Sequence, residues 1–202
     1  MESFNYVGLV AYATTLFAYY GVNKMKNLKL YTIDDEYIKY LYSYDDKVMF
    51  WEGDNYSTDR KYIGVVLEIN SYKYFAPLSS PKDSDYYYIN GEKKIRKNTI
   101  PIIRLVTDKQ LLLGKIKLSN MIPVKDENIA LYDINAEKDT KYKDLILDEI
   151  ICIRKCKKEI MKNAEILYNQ KAGNYKNIKY LDSTINFKML EYACSKYEIN
   201  KE

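Results

Sequence analysis

The chain has 202 residues, 47% hydrophobic and 30% charged, which suits a single soluble globular domain able to bury about 70% of its unfolded surface without disulfide or metal staples. Thirty-two lysines and arginines against 28 acidic residues leave a formal charge of +4, a mild excess that permits nucleic-acid binding without implying it. With no histidine, Ser-His, Cys-His and His-metal schemes and the paired-histidine route of many ribonucleases are excluded, so catalysis must use Lys, Arg, Tyr, Ser, Thr or carboxylates.

Residues 4–23 carry no charge over a length at which a membrane span has to be considered. Four tyrosines, two threonines, two asparagines and two glycines dilute the segment, and the charge before it, Glu2, has the wrong sign for a signal peptide. Residues 1–24 are therefore expected to be a mis-assigned or non-native extension, with an extra packed helix and a membrane anchor as the alternatives, and residues 25–202 a single domain. Leu28 to Thr32 reads as a strand. Asp34 to Tyr44 reads as a helix capped by Asp34, burying Tyr37, Ile38, Leu41 and Tyr44. The run from Asp45 to Arg60 is loop-like; Phe50 and Trp51 read as packing residues, while Tyr56 and Arg60 flank the next strand.

Tyr62 to Lys82, YIGVVLEINSYKYFAPLSSPK, organises the rest of the chain. Ile63, Val65, Leu67 and Ile69 alternate, Asn70-Ser71 interrupts, and Tyr72 to Leu78 resume, the pattern of a tight hairpin. Pro81 lacks an N–H and pushes Ser80 towards extended backbone, so pairing should stop there and leave Ser79, Ser80 and Lys82 clear of the sheet. The stretch DSDYYYINGEKKIRKN reads as an exposed polar loop turning at Asn90-Gly91, with Tyr86, Tyr87 and Tyr88 beside Lys93, Lys94, Arg96 and Lys97. Such interleaving of rings and cations suits stacked bases and phosphates as well as a merely solvated loop.

Thr99 to Val106 and Leu111 to Leu118 read as two further strands, followed by a short extended MIPV. Tyr142, Ile146, Ile150, Ile153, Ile160, Ala164 and Leu167 recur at helical spacing from Tyr142 to Gln170, and Gly173 supplies the stop. Arg154, Lys155, Lys157, Lys158 and Lys162 lie off that stripe, as a phosphate-binding or simply solvated face. Cys152, Cys156 and Cys194 form no CxxC and are expected to be reduced thiols in a cytoplasmic protein. Thr184 to Tyr197 makes a closing helix, and the whole is an α+β domain.

Five segments in one order, LYTIDDEYIKYL, IGVVLEI with KYFAPLSSPK, GKIKLSNMIPV, YKDLILDEIICIR and NFKMLEY, resemble the ToxN/AbiQ family, endoribonuclease toxins of type III toxin–antitoxin systems whose antitoxin is a repeated small RNA. The resemblance runs from Leu28 to about Tyr197. It implies a strongly curved antiparallel sheet or barrel like that of the Kid/MazF toxins, packed with helices. It further implies a metal-independent endoribonuclease, with no cofactor, that leaves 2′,3′-cyclic phosphate ends, matures its own repeat RNA and is held inactive in a closed assembly with it. Cellular mRNA would be the substrate, abortive phage defence the outcome, and neither DNA nor a membrane a partner.

RNA cleavage can use the neighbouring 2′-hydroxyl as nucleophile, so the protein need supply only alignment, proton transfer and positive charge. The family's Thr/Ser-Ser-Pro-Lys loop, assisted by a tyrosine and a basic residue before the central strand, maps onto Ser79, Ser80, Lys82, Tyr56 and Arg60. The position of Arg60 is commonly lysine in the family; arginine stays charged, so Arg60 would bind phosphate and not act as a base. Lys82 and Arg60 supply charge, Ser79 and Ser80 bond the phosphate or 2′-hydroxyl, and Tyr56 positions or protonates the leaving oxygen. Lys61, Lys93, Lys94, Arg96, Arg154 and Lys158 are the expected RNA contacts. A non-catalytic RNA-binding module and a membrane-attached protein using residues 4–23 stand as alternatives.

Overall fold

In a computed structural model of the chain, the structure describes residues 28–50 and 60–198. The expected extension 1–24, Trp51 and Tyr56 lie outside the described residues. The central hairpin forms from β2 (Tyr62–Ile69) and β3 (Tyr72–Ser79), with Ile69 facing Tyr72 across a two-residue turn. Asn70 and Ser71 both take positive φ, 49° and 67°, the left-handed pair that matches the twist of a tight hairpin.

The expected strict alternation in β2 is broken. Gly64 faces Phe75 while Leu67 faces Tyr74, so Val65 and Val66 form a bulge that shifts the phase: Ile63, Val66 and Leu67 are buried and Val65 is half-buried. Gly64 lies against the Phe75 ring so closely that a Cβ there would collide with it.

The remaining elements are β1 (Lys29–Ile33), α1 (Asp35–Tyr42), β4 (Tyr86–Ile89), β5 (Glu92–Ile95), β6 (Ile102–Val106), β7 (Leu112–Lys117), β8 (Ile122–Pro123), β9 (Ile129–Leu131), α2 (Thr140–Ala172) and α3 (Phe187–Lys196). Helix α1 starts where Asp34 accepts the Tyr37 N–H at 2.9 Å and buries Tyr37, Ile38 and Leu41, with Tyr44 half-buried beyond its end. Helix α2 runs for 33 residues from an Asp139 cap to Gly173.

Among the described residues one antiparallel sheet runs β6-β7-β3-β2-β1-β9, with β8 also paired to β3. The fold is α+β, as expected, but the strand path is open: β6 and β9 end it without meeting, so the sheet is no closed barrel. The polar stretch after Lys82 is an ordered β4–β5 hairpin turning on Asn90-Gly91, not a loop, because Tyr86 to Ile89 pair in register with Ile95 to Glu92. Helix α2 packs on β2, β6 and β7, and α3 on β8 and α1. Tyr74, Phe75, Ile103, Leu105, Ile116, Ile160, Leu167 and Phe187 are sealed between these layers. Glu191 of α3, inside that core, accepts hydrogen bonds from Tyr74 Oη at 2.9 Å and Tyr168 Oη at 2.6 Å. No helix among the described residues is long and apolar enough to cross a membrane.

Candidate active site

Three strands meet where β3 ends. Ser79 faces Lys115 of β7, and Leu78 donates its N–H to the Lys61 carbonyl at 2.9 Å, so one step further in that register sets Arg60 across from Ser79 on the other side. Arg104 of β6 faces Lys115 in turn. Directly opposed residues of antiparallel strands point to the same side, so Arg60, Ser79, Lys115 and Arg104 form a row on one face. Lys117 follows two residues on, on the same face as Lys115.

The loop after Ser79 folds back over this row. Asp85 is its pivot: one carboxylate oxygen accepts the Lys82 backbone N–H at 2.9 Å and ion-pairs with Lys115 Nζ, and the other accepts Arg104 Nε at 3.1 Å. Asp85, Lys115 and Arg104 are all buried. Burial alone would push the Asp85 carboxyl up, but the Lys115 hydrogen bond, the Lys82 N–H and the charges of Lys115 and Arg104 outweigh it and hold the carboxyl below its ordinary value. Asp85 therefore stays ionised and fixes the Ser80-Pro81-Lys82 turn to β6 and β7. Pro81 has no N–H to donate, so after Ser80 the next backbone donor is the Lys82 N–H, and Asp85 captures it. Ser80 and the Lys82 side chain are exposed, and Ser79, whose hydroxyl reaches the Ser80 carbonyl at 3.5 Å, is half-buried.

Asp85 is the sole carboxylate the described residues pair with this group of five cations, and it serves two of them. Lys117 feels the excess: burial first, then the charges of Lys115, Lys82 and Arg60, lower the affinity of its amine for a proton. Arg60 is half-buried and donates Nη1 to the Met49 carbonyl at 3.2 Å. A cluster of positive charge beside two hydroxyls has the chemistry that suits a phosphodiester.

On the opposite face of the sheet, Gly114 leaves a gap that the Glu149 carboxyl of α2 fills; a Cβ on Gly114 would collide with Glu149 Oε1 and come within 3.3 Å of the Ser79 carbonyl oxygen. Burial pushes the Glu149 carboxyl up to about 7.

The structure thus brings Arg60, Ser79, Ser80 and Lys82 together, while Tyr56 lies outside the described residues. The other expected contacts divide. Lys93, Lys94 and Arg96 stand on exposed β5 and its end: Lys93 Nζ sits 3.9 Å from the centroid of the Tyr86 ring, the Arg96 guanidinium 5.8 Å from that of Tyr87, and Lys94 pairs with Glu92 at 2.6 Å. Arg96 also ties the hairpin to the pivot, its backbone N–H reaching the Asp85 carbonyl at 2.9 Å and its Nε the Ser84 carbonyl at 3.1 Å. Arg154 and Lys158 are exposed one turn apart on α2, which packs on the Gly114 face and not on the face of the cation row. Lys61, next to Arg60 but on the other side of the strand, is only 7% exposed, with its ammonium 4.5 Å from the centroid of the Tyr132 ring and 5.9 Å from that of Tyr142. It is a packing cation and does not stand with the exposed ones.

Asp85, Arg104, Lys115, Lys117 and Glu149 are absent from the sequence-based candidates. A signal existed for three of them: in Gly114-Lys115-Ile116-Lys117 the alternation of a strand puts both lysines on one side. Asp85 stands three residues after Lys82, the spacing of a turn-capping carboxylate.

Residues 29–195 match the family described as Toxin ToxN, type III toxin–antitoxin system. The chain is similar to Endoribonuclease ToxN of Pectobacterium atrosepticum, 32% identical over 168 residues that cover 81% of this chain and 90% of the relative. It superposes with a TM-score of 0.72 and 28% identity on a toxin from work on selective type III toxin inhibition by a non-coding RNA pseudoknot, covering 85% of this chain and 98% of that one. A third likeness, with a TM-score of 0.69 and 25% identity over 84% of this chain and 97% of the other, is to AbiQ, a lactococcal anti-phage endoribonuclease of a type III system.

Proposed function

Because the chain belongs to the ToxN family of type III toxin–antitoxin toxins and is an endoribonuclease, we propose that it cuts RNA at the Ser79–Lys82 turn without a metal, by attack of the neighbouring 2′-hydroxyl. The 2′ oxygen forms a bond to phosphorus, the bond from phosphorus to the 5′ oxygen breaks, the 2′ proton leaves and the 5′ oxygen gains one, giving 2′,3′-cyclic phosphate and 5′-hydroxyl ends. One observation carries the reading: five cations converge around two hydroxyls, and among the described residues Asp85 is the carboxylate that ion-pairs with two of them. In this reading Ser80 and Ser79 bond the 2′-hydroxyl and the phosphate, Lys82 and Arg60 hold the phosphate oxygens, and Tyr56 positions the leaving oxygen.

Its partner is RNA: a repeat RNA antitoxin that the enzyme processes and that then inhibits it in a closed toxin–RNA assembly, and cellular mRNA when the toxin is free. Occlusion by a folded RNA is physically sensible, because an RNA lying in the groove takes up the phosphate contacts while its fold denies in-line geometry. The β4–β5 hairpin, carrying Lys93, Lys94 and Arg96 beside Tyr86 and Tyr87, guides the strand by stacking and phosphate contact, and Arg154 and Lys158 extend that field. Release of the toxin would act in the cytoplasm as abortive phage defence. The open, bulged sheet is read as an unclosed counterpart of the Kid/MazF barrels.

The test is to purify the chain free of RNA, incubate it with cellular RNA in excess chelator and compare Ser80→Ala and Lys82→Ala. The expected result is cleavage to cyclic-phosphate ends that both substitutions abolish. Intact RNA with binding retained would replace the reading with that of a binding module.

A further inference from the structure

Three cations of the site are already committed. Lys115 and Arg104 are buried against Asp85, and Arg60 is anchored on the Met49 carbonyl. Lys82 is exposed on the turn, so by itself it approaches a phosphate from one side only. Lys117 is different. It ends β7, half-buried, and among the described residues no carboxylate lies within ion-pair distance of it. One step along the register that pairs Leu78 with Ile116 and Ser79 with Lys115 puts it across from Pro77, and Pro77 faces Tyr62 on the other side. Tyr62, Pro77 and Lys117 therefore form a second row directly behind Arg60, Ser79 and Lys115, on the same face. Tyr62 and Pro77 are themselves buried, so of this second row it is half-buried Lys117 that reaches towards the surface beside the turn. A half-buried ammonium crowded by three like charges, with no carboxylate partner among the described residues, gains strongly from an incoming anion.

We propose that Lys117 is a further catalytic residue of the endoribonuclease, holding a non-bridging oxygen of the scissile phosphate from the sheet floor while Lys82 holds the other from the turn. The inference rests on the proposed cleavage at the Ser79–Lys82 turn. As the 2′ oxygen attacks, negative charge grows on both non-bridging oxygens. Cations fixed on two separate elements meet that growing charge without rearranging, so their effect is larger in the transition state than in the bound substrate. Lys117 transfers no proton in this scheme.

The experiment compares Lys117→Met, Lys117→Gln and Lys117→Arg with wild type and Ser80→Ala. Cleavage of a single-stranded RNA oligonucleotide is followed for kcat and KM, and binding of the same oligonucleotide with 2′-deoxyribose throughout is followed against salt. Lys117→Met and Lys117→Gln are expected to lose about 100-fold or more in kcat, as removal of one fixed donor does, and to flatten the logarithmic salt slope of binding by about 0.7, the share of one phosphate contact on a single strand. Lys117→Arg should restore the slope and most of kcat. Thermal melts identify any variant that fails to fold, and the arginine variant then carries the comparison, since a purely structural role would not return the salt slope. Rates within threefold of wild type with an unchanged slope in both neutral variants would overturn the assignment while Ser80→Ala still abolished cleavage. If wild type cut no RNA, the cleavage reading would fail instead, and an unchanged slope would still reject Lys117 as a phosphate contact.

Discussion

Replacing Glu149 with glutamine should make the protein more stable in mild base and leave it nearly unchanged in mild acid. Glu149 is 8% exposed, packed over Gly114, and burial raises its carboxyl from the usual 4.5 to about 7. Between those two values the folded protein holds a proton that the unfolded chain has released, so stability falls as pH rises from about 4.5 to about 7 and is level beyond. Each pH unit of displacement is worth about 1.4 kcal/mol, so the full cost of ionising Glu149 in the fold is about 3 kcal/mol, reached near pH 8 and under 1 kcal/mol at pH 5. Glutamine keeps the shape and cannot ionise. The stability gap between Glu149→Gln and wild type should therefore move in favour of the variant by about 2–3 kcal/mol between pH 5 and pH 8. Urea titrations followed by circular dichroism at pH 5, 6.5 and 8 measure this gap. A gap that stays within about 0.5 kcal/mol across the three pH values would refute the argument, because it would mean that the carboxyl ionises in the fold at its ordinary cost.

Asp85→Asn should leave Lys115 and Arg104 buried without their counter-charge, costing about 3–5 kcal/mol in chemical denaturation and abolishing cleavage, since the amide no longer balances the two cations under the Lys82 turn. Gly114→Ala forces a methyl group into Glu149 Oε1 and towards the Ser79 carbonyl. It should lower stability by about 1–3 kcal/mol, with a smaller loss in a Glu149→Ala background, as a double-mutant cycle would measure. Ser71→Gly removes a side chain from a left-handed position and should raise the melting temperature slightly, by the equivalent of about 0.5–1 kcal/mol; a lowered melting temperature would show that the turn has a different demand.

Several elements were legible before the fold was known, each through a local cause. The hairpin follows from two β-rich runs around Asn70-Ser71, and the structure turns there. The Asp34 cap and the buried side of α1 follow from a capping side chain and a helical repeat. The stop of α2 at Gly173 follows from the glycine. Strand β9, three residues long, carried no such signal: Ile129–Leu131 becomes a strand because β1 offers it an edge. The β4–β5 segment read as a loop because its charges hid a four-residue pairing that needs only a left-handed turn at Asn90-Gly91.

By itself the sequence determined the chemistry available: the absence of histidine, the Ser-Ser-Pro-Lys turn at the end of an aromatic strand, and the ordered motifs of the family are properties of residue type and local order, which no folding changes. Tertiary structure decided which charges meet. Asp85 and Lys115 are separated by 30 positions, and only the pairing of β3 with β7 places one beneath the other. Arg60 and Lys61 are neighbours of equal charge, yet one joins the cation row and the other is buried against Tyr132 and Tyr142. Side chains along a strand alternate, so a single step in register moves a cation from one face to the other, and register is set by partners far away in the chain.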